Sequence, residues 1–137
     1  MSRADLLERL AGICVARGWT QAVSPFDFDT MPTTAIDGAF RITVTAQQTV
    51  PQLNYAEDRF DLFDIWLAKR HVAQAPEAYQ VLTADLEALY GAIVRDGDDV
   101  TGEYTVTAGA QVEIGHENGQ EFAVGRLQVP LNYEVSL

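Results

Sequence analysis

Cysteine is nearly absent from this chain. The single thiol, Cys14, cannot form an internal disulfide, and no Cys/His spacing suits zinc. With Leu10 and Ile13 beside it, Cys14 reads as a small buried hydrophobe and not as a nucleophile. Basic residues are scarce: 9 Lys and Arg stand against 20 Asp and Glu, a net charge of −11. Such a field repels phosphate backbones, which excludes tight nucleic-acid binding but not DNA passing nearby. Long apolar runs are missing too, since nothing approaches the roughly 18 residues of a membrane helix. Arg3, Asp5, Glu8 and Arg9 break up the first apolar stretch, so no signal peptide and a cytoplasm-like compartment are expected. The chain carries no phosphate-cradling glycine loop, no nucleophile elbow and no zinc-binding helix motif.

What is present fits one domain of 137 residues with 47% hydrophobic content, enough for a single core. Residues 2–17 read as a helix. Ser2 and Asp5 are placed as a capping box, the apolar stripe is Leu6, Leu7, Leu10, Ile13 and Cys14, and Gly18 follows. A turn-rich segment, "VSPFDFDTMPTTAIDG", leads to "AFRITVTAQ", which alternates as a strand with Phe40, Ile42, Val44 and Ala46 inward. Residues 47–58, with Pro51, read as a long hairpin loop, and loops of that length are often functional. Pro76 and Glu77 open a second helix carrying Tyr79, Leu82, Leu86, Leu89, Tyr90 and Ile93, with "RDGDD" as its stop. Residues 103–114 and 122–135 read as a closing hairpin turning at Asn118-Gly119. The apolar phase of its return strand shifts at Val124-Gly125, which predicts a β-bulge at Gly125. The expected fold is α+β: a mostly antiparallel four-stranded sheet with two helices on one face, in the order α-β-β-α-β-β.

The segment "RFDLFDIWLAKRH" (59–71) departs from this pattern because it is apolar on both sides. Phe60, Leu62, Trp66 and Ala68 fall on one face, and Phe63, Ile65 and Leu67 on the other. Two amphipathic helices cover one sheet face only. Asp64 marks the even face as the outer one, which leaves Phe60, Leu62 and Trp66 as a candidate contact patch. Two covers are open: a second copy of the chain, or the segment 19–37 with Trp19, Phe26, Phe28, Met31 and Ile36 folded back over it.

Other chemistry is thin. His71 and His116 sit near charged residues at strand ends or turns and read as exposed. Asp96, Asp98 and Asp99 in "DGDD" offer oxygen ligands for calcium or magnesium without EF-hand spacing. Asp27 and Asp29 in "DFD" are a weaker pair. No cofactor is expected.

With element order, length and tail in view, the chain resembles the tail terminator proteins of long-tailed bacteriophages and phage-like gene transfer particles. The resemblance runs over nearly the whole chain: the opening helix "RADLLERLAGI", the strand "FRITV", the two-faced strand followed by "PEAYQVLTADLEALYGAIV", and the ending "LQVPLNYEVSL". It implies a ring, typically a hexamer, that caps the finished tail tube, halts its growth and receives the filled head. DNA passes through the centre without specific binding, and no catalytic residue is carried over. The implied partners are other copies of itself, the tail tube protein and a head-completion or neck protein. The implied place is the head–tail junction of the virion, after assembly in the host cytoplasm and without a membrane. On this reading Phe60, Leu62 and Trp66 meet a neighbouring subunit. Gln48, Thr49, Val50, Gln52 and Asn54 of the long loop face the tube or the lumen. Head-completion proteins share the size and element order and stand as an alternative position in the particle. Two rivals of other classes are a small-molecule-binding or enzymatic α+β domain with the aromatic face as a pocket wall, and an acidic DNA mimic. Interleaved arginines argue against the mimic.

Overall fold

The computed structural model describes the chain except residues 24–26, 29, 71–76 and 118–121, and except the side chains of residues 116 and 117. Helix α1 (Arg3–Ala16) opens on the capping box. Ser2 Oγ accepts from the Asp5 amide and the Asp5 carboxylate accepts from the Ser2 amide, each at 3.0 Å. Two otherwise orphaned helix donors are satisfied at once. Leu6, Leu10 and Cys14 are fully buried, and burial pushes the Cys14 thiol up to about 12. Helix α3 (Glu77–Arg95) buries Ala78, Leu82, Leu86, Leu89 and Ile93. Tyr79, expected on this stripe, is turned to solvent.

Among the described residues the sheet has six strands and is mixed, and three helices accompany it, so the expectation of four strands and two helices is corrected. The strands are β1 (Thr20–Gln21), β2 (Ala39–Pro51), β3 (Ala56–Arg70), β4 (Tyr104–Val106), β5 (Gln111–Glu117) and β6 (Phe122–Ser136). Their order is β1-β2-β3-β6-β4, with β5 also paired to β6, and β1 lies parallel to β2. The short helix α2 (Thr33–Ile36) falls in the segment that proline and turn residues marked as irregular, and β1 lies just before it. Elements of two and four residues are too short to show a period.

Three further expectations are corrected. The long loop 47–58 is mostly strand: β2 runs to Pro51 and β3 starts at Ala56, so only 52–55 turn. The bulge lies in β2, where the register with β3 shifts between Ala46 and Gln48, and not at Gly125. Strand β6 keeps one register with β3 from Phe122 to Ser136. Its apolar phase changes because its two ends face different cores. Gly125 marks a close approach of α3, since a Cβ there would stand 2.8 Å from Leu86 Cδ1. Finally, the "DGDD" stretch does not stop the second helix. The chain widens into a π-helical segment, Asp96–Thr101, in which Gly97 lies so close to Tyr104 that a Cβ would stand 2.6 Å from its carbonyl oxygen.

Helices α1 and α3 cover one face of the sheet. That main core includes Phe40, Phe63, Ile65, Leu67, Leu127 and Val129. A second, smaller core lies on the opposite face, where Phe28, Met31 and Ile36 pack on Ala39, Ala68, Phe122 and Val124. Two matched polar networks tie α1 to the sheet. Asp61, only 2% exposed, accepts from Tyr133 Oη at 2.5 Å and from Arg3 Nε at 2.9 Å. Asp96 accepts from Tyr104 Oη at 2.7 Å and from Arg9 through two bonds of 2.7 Å. Tyr104 and Tyr133 are themselves cross-strand partners.

Truncating Asp61 leaves the buried Tyr133 hydroxyl without its acceptor, so Asp61→Ala is expected to cost about 1–3 kcal/mol in urea unfolding with an unchanged slope. Asp96 gives a pH test. The Arg9 hydrogen bond, aided by Tyr104 and opposed by partial burial, holds its carboxyl below the ordinary value of 3.8. A depressed folded value means stability that is present above the unfolded value and lost as pH falls through the folded one. The stability difference between wild type and Asp96→Asn is therefore expected to stay level above about pH 5 and to shrink in stronger acid.

Candidate functional site

The side chains singled out in the sequence are split by the structure into three environments. Trp66 lies in a cross-strand row, Arg41–Trp66–Arg126–Glu113, running over four neighbouring strands. The Arg41 guanidinium carbon sits 4.3 Å from the indole centroid and that of Arg126 5.6 Å, while Trp66 Nε1 donates to Thr43 Oγ1 at 3.1 Å. Arg41 also lies 5.2 Å from the Phe28 ring, which joins this row to the second core. Trp66 is thus half-buried by the chain's own folded-back segment, and its ring is engaged on both sides by cations. Sequence reasoning missed both: alternation assigned Arg41 to the outer face, and Arg126 was read only as one of the interleaved arginines.

Phe60 and Leu62 lie past the edge of that cover, nearer the hairpin tip, and stay half-exposed. Both line a groove of about 270 Å³ with Gln48, Thr107 and Pro130. Trp66 is not part of it. This volume falls just below the usual small-molecule range of about 300–1,000 Å³, and the three aromatic-face residues do not converge on one pocket. Between Leu62 and Trp66 the Asp64 Oδ1 is buried with no hydrogen-bond partner among the described residues.

The third environment is the arm formed by the ends of β2 and β3. Gln48, Thr49, Val50, Gln52 and Asn54 all fall on it and all are exposed. Gln48, Thr49 and Val50 are strand residues paired with Phe60, Arg59 and Asp58. Gln52 bonds Asp58 through its side chain and Ala56 through its amide. At the tip Leu53 is 88% and Tyr55 82% exposed. Both Asn54 (φ 64°) and Tyr55 (φ 59°) adopt the left-handed backbone. Asn tolerates this region, but a tyrosine there costs about 1–2 kcal/mol relative to the right-handed form. The C-terminus braces the tip, with the Leu137 amide donating to the Tyr55 carbonyl at 2.6 Å, and Leu137 adds another exposed apolar side chain. Leu53 and Tyr55 were absent from the sequence-based candidates. Tyr55 is marked by its positive φ and Leu53 by its exposure alone, and neither can be read from sequence.

The aspartates of "DGDD" are not gathered as a ligand set. Asp96 is turned inward to Arg9 and Tyr104, while Asp98 and Asp99 face solvent. No group of three His, Cys, Asp or Glu suited to a metal occurs among the described residues. Asp27 accepts from the Thr30 amide and hydroxyl at 3.0 Å each; Asp29 and His71 lie outside the described residues, as does the side chain of His116. Among the described residues no helix is long and apolar enough to cross a membrane. No family model and no curated protein matches this chain.

The environments make separable predictions. Trp66→Ser removes the ring that Arg41 and Arg126 flank and that packs against the second core, and is expected to destabilise the fold by about 1–3 kcal/mol. Leu62→Ser, on the uncovered part of the same face, is expected to stay within about 1 kcal/mol of wild type. Equal losses in thermal or urea unfolding would show that this face is covered evenly.

Proposed function

We propose that the chain is a ring-forming structural subunit of a phage or phage-like particle, of the tail-terminator kind. Copies of it would cap the tail tube at the head–tail junction and leave a central passage for DNA. The observation that carries this reading is the hairpin arm, which presents Leu53 and Tyr55 to solvent, the latter on a backbone that a tyrosine adopts only at a cost. Strain of this kind at an exposed position, held by a clamp from Leu137, supports a contact role for the ring, because the fold itself gains nothing from that side chain. The acidic charge supports a conduit. DNA sliding past a surface of −11 per subunit meets repulsion instead of a succession of binding sites. The half-exposed Phe60 and Leu62 supply apolar area next to the arm. The proposed partners are further copies of the chain, the tail tube protein and a head-completion or neck protein; neither a membrane nor a cofactor enters the reading.

The test is assembly. Sedimentation of the wild type over a wide concentration range, alone and with purified tail tubes, is expected to show a closed ring of several subunits or a ring bound at tube ends. Monomers throughout, with no tube binding, would refute the reading. Tyr55→Gly separates contact from fold. Relief of the left-handed strain, set against the greater backbone entropy of glycine, is expected to leave stability unchanged or raised by up to about 1 kcal/mol. Combined with Leu53→Ser, it is expected to abolish assembly while the melting curve stays cooperative. Normal assembly of this double variant would remove the tip from the contact.

A further inference from the structure

We infer that copies of this chain join by continuing the β-sheet, with the free edge of β2 in one copy taking the β4–β5 edge of the next. The inference rests on the ring-forming reading and specifies its contact. Among the described residues both edges of the sheet are open. On one side β1 pairs only with Ala39 and Phe40, leaving 42–51 without a neighbour among the described residues. On the other, the π-helical segment presses on the Tyr104 carbonyl through Gly97, and 106–114 lie beyond it. Each edge is thus blocked at one end; β2 offers ten strand residues, while the other edge is strand at Val106 and again from Gln111, with 107–110 outside any strand.

The direction of the backbone groups follows from the hydrogen bonds that are made. The Phe40 carbonyl accepts from the Ala22 amide, so Phe40 points its polar groups away from β3, and alternation places those of Ile42, Val44 and Ala46 on the same side. The bulge after Ala46 changes the phase. The Gln52 amide donates inward to Ala56, so beyond the bulge Thr49 and Pro51 are the outward residues. Pro51 has no N–H to leave unpaired there. On the far edge the Pro130 carbonyl accepts from the Thr107 amide, which sets the even residues of β6 toward β4 and β5 and turns Val112 and Ile114 outward.

Charge identifies the occupant as a second copy. Exposed strand edges are ordinarily guarded by charged residues, lysine above all. Here 42–56 is the longest charge-free run in a chain that is 21% charged, and 104–112 is charge-free as well. Both edges carry Thr-Val-Thr-Ala, at 43–46 and 105–108. At −11 each, two copies repel over most of their surfaces, and these neutral edges are where their backbones can approach to the roughly 4.8 Å of a strand pair. Pairing two unlike edges uses both sides of every copy and propagates, which is what closure into a ring requires. Pairing β2 with β2 would stop at a dimer and leave the other edge open.

Proline at an outward residue removes one intermolecular donor without breaking a bond inside the subunit. Thr49→Pro blocks the β2 edge and Val112→Pro the β5 edge. By sedimentation each variant is expected to remain a folded monomer where the wild type assembles, with circular dichroism confirming the fold. A mixture of the two still holds one intact edge of each kind, so it is expected to give a dimer of one copy each and nothing larger. Variants that assemble as the wild type does, or a mixture that stays monomeric where the wild type forms rings, would overturn the edge pairing and leave the ring reading standing. A wild type that never assembles would overturn both.

Discussion

Strand β3 imposes the constraint on which the rest of the structure depends. It is the central strand, paired with β2 from Glu57 to Leu67 on one side and with β6 along its whole length on the other, and it is apolar on both faces. A sheet built around it therefore needs two covers. Helices α1 and α3 supply one, over Phe63, Ile65 and Leu67. The segment between α1 and β2 supplies the other, but it reaches only the end marked by Ala68, Phe122 and Val124. Phe60 and Leu62 lie where neither cover extends. The uncovered area thus follows from the mismatch between a strand of 15 residues and covers that are shorter.

Helix α1 is held by more than its apolar stripe. Arg3 and Arg9 reach Asp61 and Asp96, and each carboxylate also accepts from a buried tyrosine. Burial and the adjoining carboxylate both push the Tyr104 hydroxyl to titrate far above its ordinary range, so it stays a donor at any ordinary pH. The same holds in direction for Tyr133. Each tyrosine can then only donate to its carboxylate and each arginine can only donate, which fixes the sense of both networks. Because the two tyrosines are cross-strand partners on β4 and β6, the clamps lock the helix to a single register of the sheet.

Long periodic elements were legible from sequence. The stripes of α1 and α3, the capping box at Ser2 and Asp5, and the inward facing of Phe40, Ile42 and Val44 in β2 each depend on neighbours a few residues apart, which sequence displays directly; Ala46, expected inward with them, is exposed. What failed depends on distant partners. The phase shift in β6 looked like a bulge because one core was assumed, whereas Phe122 and Val124 belong to a second core and pack against Phe28 and Ile36 on the face opposite α1 and α3. Residues 47–51 looked like a loop because Pro51 interrupts the pattern, yet an outward-facing proline at a strand edge costs no internal hydrogen bond. At the candidate site, the exposed residues 48–54 were found from loop length, for a reason the structure replaces. Tyr55 was not found, because a positive φ leaves no trace in composition.

The charge pattern connects the fold to assembly. An acidic monomer gains solubility from its charge but loses affinity for its own copies, so any self-contact must be confined to neutral surface or compensated by arginine. Several arginines here are committed within the subunit: Arg3 and Arg9 to the helix clamps, and Arg126 to Glu113 and the Trp66 face. That commitment removes them from between-copy contacts and leaves the neutral strand edges and the hairpin arm as the surfaces of least repulsion. A contact made mainly of backbone hydrogen bonds and a few apolar side chains would be insensitive to which acidic residues lie around it. On the proposed ring reading, such a surface can stay strongly negative toward passing DNA while its subunits remain joined.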